Sequence, residues 1–280
     1  MIVSFGSLNQ DLAVRLDHLP GPDETILAAG DDTHRGGKGH NQALAAARLG
    51  APVAMVGRLG DDDAGRWLRD GLAAEGVDVT QLREVPGLRT GTALCLRDEA
   101  GQVTIIVLSG ANAAVDVAAA EEAADVLGRS SVLLLQGEVA VDASVRAAEL
   151  ARAAGATVIV NPAPVPAGAD RLLAVADVVV VNRPEAARLD LEPCGRVVVT
   201  LGAEGVAVAG TRIDAYPATA VDATGAGDAF VAALAAALHD GAPLVEAARF
   251  GAAAGACAVE VVGAEPSLPT RAAVEARMAR

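Results

Sequence analysis

Asp222-Ala223-Thr224-Gly225-Ala226-Gly227-Asp228-Ala229-Phe230 is the stretch on which the reading of this chain turns. It runs directly into an alanine-rich, helix-compatible segment at 231–238. Glycines at such an entrance let the backbone turn sharply. The first amides of the helix then lack internal partners and can point at an anion. Asp228 falls in the first turn, close to whatever anion binds there. A carboxylate beside an anion hole costs electrostatic energy. The arrangement makes chemical sense if Asp228 takes a proton from a hydroxyl while the entrance holds the phosphoryl group under attack. The plainer reading of the same residues is an ordinary helix start with an acidic first turn.

Lys38 is the one lysine of the chain, and it lies in Arg35-Gly36-Gly37-Lys38-Gly39-His40-Asn41-Gln42, at the start of another helical segment. A compact ammonium on a flexible stem suits a mobile phosphoryl group better than a guanidinium fork does. A leftover surface lysine is the competing reading.

With 280 residues the chain is long enough for one large α/β domain over the whole of 1–280. It is 52% hydrophobic but only 2% aromatic, so the core must be Ala, Val and Leu. The net charge of -14 argues against nucleic acid and against anionic membrane surfaces as partners. An acidic protein that takes a polyanionic nucleotide needs local cations and a divalent metal. Cys95, Cys194 and Cys257 are scattered without metal-type spacing and read as reduced thiols. Residues 1–20 show no basic region followed by a signal-type apolar run, and a cytoplasmic location is expected.

Short apolar runs at 2–6, 53–57, 132–136, 157–160, 178–181, 197–200 and 206–209 read as strands. Helical stretches at 41–49, 64–75, 117–127, 143–154, 226–238, 244–261 and 271–278 alternate with them. This is the pattern of a mostly parallel sheet covered on both faces. Two regions break the rhythm: 12–16 with 26–33, and 92–96 with 103–108, read as antiparallel strands of a small inserted lid built from 11–34 and 89–109. The run 103–108, Val-Thr-Ile-Ile-Val-Leu, is apolar on both faces. One face can cover a ligand; the other calls for a partner, and a homodimer through the lid is expected.

Ligands of open α/β sheets bind beyond the carboxyl ends of the strands. Those ends carry Asn9 and Asp11, Gly137-Glu138, Asn161, Asn182-Arg183-Pro184-Glu185, and Thr200-Leu201-Gly202-Ala203-Glu204-Gly205. Each alone is an unremarkable strand exit. Together they make a rim of amides, carboxylates and glycines, suited to a polyhydroxylated molecule and a nucleotide–metal complex.

In this order, the motifs resemble the PfkB carbohydrate-kinase family, and within it the ribokinase branch, almost end to end. The resemblance rests on Gly6 to Asp11, Gly36 to Gln42, Gly60-Asp61-Asp62, Gly110-Ala111-Asn112, Gln136-Gly137-Glu138, Asn161 to Pro164, Asn182 to Glu185, Thr200-Leu201-Gly202, Asp222 to Asp228 and Pro266 to Pro269. It implies a ribokinase-like three-layer α/β/α fold with a small β-sheet lid. Asn9, Asp11, Gly37, Lys38, Asn41 and Glu138 are then expected to grip the sugar. Asp228 is the expected base, behind Gly225, with anion-hole amides from Ala226 and Gly227. Asn182 and Glu185 are expected in the metal–phosphate shell, Glu185 reaching Mg²⁺ through water. Thr200, Gly202 and Gly205 are expected to border ATP. Asp222, Thr224, Gly263 and Ser267 match a site for K⁺ or a similar activating cation.

The implied activity is ATP-dependent phosphorylation of a sugar, D-ribose to ribose 5-phosphate. A PfkB-type kinase for another sugar or a nucleoside, and a non-catalytic sugar or nucleotide sensor, are the alternatives. Asp228 speaks against a sensor, which has no need of a carboxylate beside an anion hole. The chain departs from the family pattern twice. Residues 186–196 are shorter than the helix-bearing insertion usual on the nucleotide side. His40 stands where a small residue is common, and is expected to bear on sugar choice.

Overall fold

The computed structural model describes residues 1–100 and 102–280. Its strands in chain order are β1 (Ile2–Phe5), β2 (Asn9–Leu16), β3 (Gly30–Gly36), β4 (Val53–Gly60), β5 (Asp78–Val85), β6 (Gly91–Asp98) and β7 (Val103–Leu108). They continue with β8 (Val132–Gln136), β9 (Thr157–Asn161), β10 (Val178–Asn182), β11 (Val197–Thr200), β12 (Val206–Val208) and β13 (Thr211–Ile213). The helices are α1 (Lys38–Arg48), α2 (Asp63–Ala74), α3 (Val117–Glu122), α4 (Ala124–Leu127), α5 (Val141–Ala153) and α6 (Ala169–Ala174). After them come α7 (Arg183–Ala186), α8 (Ala226–His239), α9 (Leu244–Ala258), α10 (Ala264–Ser267) and α11 (Arg271–Met278).

Among the described residues, nine strands form the central sheet in the order β13-β12-β11-β10-β9-β8-β1-β4-β5. Pairing is parallel from β11 through β5, and β12 and β13 close one edge antiparallel. Period-two alternation splits each inner strand between two cores. Val178 and Val180 of β10 join one core with α1, α2, α8 and α9; Val179 and Val181 join the other with α3, α4, α5 and α6. Both faces are therefore dry, which is why these strands read as unbroken valine and leucine. Helix α8 is buried continuously from Asp228 to Ala236, and alanine lets its backbone lie close to α9 and to the sheet.

Among the described residues, four strands make a second, smaller sheet from the segments expected to form the lid, in the order β3-β2-β6-β7. β2 pairs antiparallel with β3 and parallel with β6, and β6 pairs antiparallel with β7. The expected strand at 26–33 is displaced: β3 begins at Gly30 and runs to Gly36, straight into α1. The small sheet and the glycine-rich motif at 36–42 are thus one continuous piece of chain. Strand β5 escapes a periodicity reading because Thr80, Arg83 and Glu84 leave it half wet at the sheet edge. The shortened segment after α7 contains no helix, and Leu189, Leu191 and Cys194 pack it onto the sheet. No helix among the described residues is long and apolar enough to cross a membrane.

Candidate active site

The carboxyl ends of β1, β8, β9, β10 and β11, the start of α8 and the underside of the lid enclose one cavity of about 700 Å³. Its wall brings together Asn9, Asp11, Gly37, Lys38, Asn41, Glu138, Asn182, Glu185, Thr200, Asp222, Thr224, Gly225, Gly227 and Asp228. These come from segments almost 220 residues apart in the chain, from Asn9 to Asp228.

Asp228 is buried in the first turn of α8. Asn41 Nδ2 donates to its Oδ2 at 3.2 Å, and Gln42 Nε2 donates to its Oδ1 at 3.0 Å. Gln42 also donates to Asn161 Oδ1 at 3.2 Å and accepts from Gln136 Nε2 at 2.9 Å. A relay of buried amides beneath the carboxylate therefore fixes its direction, and each oxygen keeps a lone pair for a further donor.

Gly225, with φ 80°, is the N-terminal cap of α8 and supplies no side chain to it. A Cβ on Gly225 would stand 2.9 Å from Ala264 Cα, so only glycine lets the turn lie against α10. A Cβ on Gly227 would meet nothing within 4 Å; the space beside it is open cavity, where a ligand can approach the backbone. The Ala226 amide donates to the Ala223 carbonyl at 3.2 Å, and Ala226 is absent from the wall. Among the described residues no backbone acceptor engages the amides of Gly225, Gly227 and Asp228. Of the expected pair of anion-hole amides, that of Gly227 is without a backbone acceptor among the described residues and that of Ala226 is engaged within the turn.

Where β1 and β8 end, Asn9 Oδ1 accepts from Asn112 Nδ2 at 2.8 Å, and Asn9 lines the cavity. Glu138 Oε2 accepts from Ser7 Oγ and from the Lys38 amide, the latter at 2.9 Å. Asp11 Oδ1 is buried without a partner. Burial, and then the charges of Glu138 and Asp228, push the Asp11 carboxyl up to about 7, against a smaller opposing effect of Lys38. Lys38 is raised above the usual lysine range, first by the Asp228 charge and further by Glu138, Glu185 and Asp11, against the effect of burial.

Asn182 and Glu185 cap α7 reciprocally: Glu185 N donates to Asn182 Oδ1 at 2.8 Å and Asn182 N to Glu185 Oε2 at 2.9 Å. Glu185 and Asn182 also line the cavity. Asp222 ties the turn before α8. Its Oδ1 accepts from Thr224 N at 3.0 Å and Thr224 Oγ1 at 2.6 Å, and its Oδ2 accepts from Gly263 N at 3.0 Å. Ser267 Oγ reaches the Thr224 carbonyl at 3.3 Å. Burial pushes the Asp222 carboxyl up, but these hydrogen bonds and the Arg97 charge outweigh it and leave it below its ordinary value.

Gly202, Gly205, Gly263 and Ser267 do not reach the wall. Gly205 has its own reason for being glycine: φ is 92°, and a Cβ would lie 1.9 Å from the Ile213 carbonyl oxygen. His40 does not face the sugar side. It is wholly buried, its Nδ1 lies 3.2 Å from Asn41 Oδ1, and its Nε2 has no partner. Burial lowers it to about 4, so the ring is neutral packing and not a wall of the cavity. The lid contributes residues that sequence reasoning missed: Ala93, Cys95 and Arg97 of β6 and Ile105 and Val107 of β7. Alternation at period two was the signal available for them.

With this geometry, comparison with known proteins is specific. A model of the pfkB family carbohydrate kinases matches residues 1–271. The ribokinase of Haemophilus influenzae is 33% identical over 289 residues, covering 95% of this chain and 94% of its own. The ribokinase of Bacillus subtilis is 35% identical over 288 residues, covering 98% of each. A crystal structure of ribokinase from Thermotoga maritima superposes with a TM-score of 0.91 at 31% identity, covering 100% of this chain and 99% of that one. A ribokinase of Arabidopsis thaliana complexed with ribose and ATP gives a TM-score of 0.88 at 32% identity, covering 99% of this chain and 98% of that one. By sequence and by fold over nearly its whole length, the chain belongs to the pfkB family of carbohydrate kinases.

Proposed function

We propose that this sugar kinase transfers the γ-phosphoryl group of ATP to D-ribose, forming ribose 5-phosphate. The observation that carries the reading is Asp228. Two amide donors hold its carboxylate at the entrance of α8, in the same cavity as Asn9, Asp11 and Glu138. Ribokinase relatives, one of them complexed with ribose and ATP, support the choice of sugar.

Asn9, Asp11, Asn41 and Glu138 supply the donors and acceptors that a ring bearing several hydroxyls requires. Gly37 lets the chain pass close beneath: its φ is 89°, and a Cβ would stand 2.9 Å from the Asn9 amide. Asp228 takes the proton of the attacking hydroxyl. The new O–P bond forms as the bond from the γ-phosphorus to its bridging oxygen breaks, and the electron pair leaves with ADP. The amides at Gly225 and Gly227 face the charge that builds on the phosphoryl oxygens, and Lys38 supplies a positive charge in the same space. Asn182, Glu185 and Thr200 line the side where the nucleotide lies.

Five carboxylates line the cavity, from Asp11, Glu138, Glu185, Asp222 and Asp228, against the cations Lys38 and Arg97. Such a wall repels a bare polyphosphate and suits one carried with Mg²⁺. That ion keeps several waters and needs few protein ligands, and it neutralises phosphate charge when bound. Glu185 is the residue that would meet it through water. Asp222, Thr224, Gly263 and Ser267 offer a carboxylate, hydroxyls and backbone carbonyls of the kind a monovalent cation takes, and Asp222 Oδ2, which among the described residues accepts only from Gly263 N, is the oxygen left clear of Arg97 for it.

The lid supports a homodimer. Ile105 and Val107 face the cavity, whereas Ile106 and Leu108 lie on the opposite face, 46% and 56% exposed. A second copy pairing its lid there would bury that face. The functional reading is tested by ADP release over a panel of pentoses, hexoses and nucleosides. The expected outcome is the highest kcat/KM with D-ribose; a nucleoside preferred over every free sugar would overturn the choice.

A further inference from the structure

Arg97 lines the cavity, yet the chemistry above assigns it no step. It ends the inner row Ala93, Cys95, Arg97 of β6, every second residue facing the cavity. Its Nη2 lies 3.2 Å from Asp222 Oδ1, the Arg97 side chain being 41% exposed and that of Asp222 6%. The guanidinium thus reaches down from a wet lid onto a buried carboxylate of the core. That carboxylate holds Thr224 and Gly263 together, and Gly225 lies against Ala264 and Ser267 directly after it. The turn that Asp222 fixes is the one that ends in the free amides of Gly225 and Gly227.

The other polar ties described for the lid lie at its root. Asp62 accepts from Thr90 N at 2.8 Å and Thr90 Oγ1 at 2.6 Å, just before β6. Arg35, near the end of β3, pairs with Glu265 at 3.0 Å and lies 4.5 Å over the Trp67 ring. Arg97 is six residues beyond Gly91 on β6, roughly 20 Å along the strand. A sheet rooted at one end pivots there, and Arg97 is where the far end meets the core.

We propose that the Arg97–Asp222 pair is a latch that couples closure of the lid over the sugar to the order of the phosphoryl-binding turn, with Arg97 as a positioning residue. The proposal rests on the sugar-kinase reading above. Sugar that draws the lid down brings the guanidinium onto Asp222, and the pinned turn presents its amides to the γ-phosphoryl group. Nucleotide that orders the turn favours the latched lid in return. By linkage the two ligands raise each other's affinity by one common factor.

The test is calorimetric titration of the full chain with D-ribose and with a non-hydrolysable ATP analogue plus Mg²⁺, each alone and in the presence of the other. The wild type should bind the analogue about 5- to 20-fold tighter with sugar present, within the usual range of coupling between sites. Arg97→Met should bring that ratio close to one, and Arg97→Lys should restore part of it. Two results overturn the latch: a wild-type ratio of one, or an unchanged ratio in Arg97→Met, which marks a structural role if both affinities are lost with it. Failure of the wild type to bind D-ribose at all strikes the underlying reading, and the latch falls with it.

Discussion

Gln42 Nε2 stands 3.0 Å from Asp228 Oδ1 and 3.2 Å from Asn161 Oδ1, while Gln42 Oε1 accepts from Gln136 at 2.9 Å. One fully buried amide thus ties the candidate base to the ends of β8 and β9. Gln42→Leu keeps the volume but leaves three polar groups short of a partner. Stability should fall by about 1–3 kcal/mol, the usual cost of stranding a buried polar group. Turnover should fall about 10-fold because Asp228 loses its orientation, with a smaller change in sugar KM. Denaturant unfolding and steady-state kinetics check this; unchanged turnover would show that the relay does not position the base.

Asp11 sets an opposition between stability and binding. Its carboxyl is raised from 3.8 to about 7 in the folded chain, so between those values the folded state binds more protons than the unfolded one. Stability therefore decreases as pH rises through that window, by roughly 2–4 kcal/mol in all. Asp11→Asn should remove this slope and raise the melting temperature of the ligand-free protein at pH 8. Sugar affinity should move the opposite way. In the wild type it should strengthen from pH 6 to pH 8 as the carboxylate becomes available to hydroxyl donors, and in Asp11→Asn it should be weak at both. Thermal melts and calorimetric titrations at the two pH values check the pair of effects.

The architecture was largely legible because its signals are local. Unbroken apolar strands between helical periods point to a covered parallel sheet, and the glycines around Asp228 announce a helix entrance. Side-chain direction was less legible. His40 lies between Gly39 and Asn41 of the motif, yet it turns into the interior, because successive positions of α1 point to different neighbours. The Ala226 N–H meets the Ala223 carbonyl in the turn, a contact set by backbone geometry and invisible in composition. Gln42 and Gln136 could be quoted as motif letters, but their roles exist only where α1 crosses β8. Arg97 carried no motif at all; its reach to Asp222 depends on how the lid is hung.

His40 should bear on stability and not on the choice of sugar, since it is buried away from the cavity wall. His40→Ala should open a buried cavity and cost about 2–4 kcal/mol, in the range of large-to-small core changes. The ratio of kcat/KM between D-ribose and a hexose should stay within about 2-fold of wild type, because the ring does not line the cavity. A reversal of sugar preference in this variant would place the ring at the substrate after all.

The outer face of β7 should carry the dimer contact. Ile106→Lys places a charge on a face that pairing would bury, and should shift the mass measured by light scattering toward monomer. Sugar affinity should fall with it, since the lid loses its support. A monodisperse wild-type monomer at micromolar concentration would defeat the dimer; a dimer unmoved by the lysine would place the interface elsewhere.

The central claim is that Asp228 is the base of a phosphoryl transfer to a bound sugar. Asp228→Asn removes the proton acceptor while keeping the shape of the group that Asn41 and Gln42 hold. The most direct measurement is the single-turnover rate of ribose-dependent ADP formation in this variant, with D-ribose affinity determined calorimetrically on the same sample. The account predicts a rate about 10²–10⁴-fold below wild type, with D-ribose still bound. A rate near wild type with intact sugar binding would contradict it.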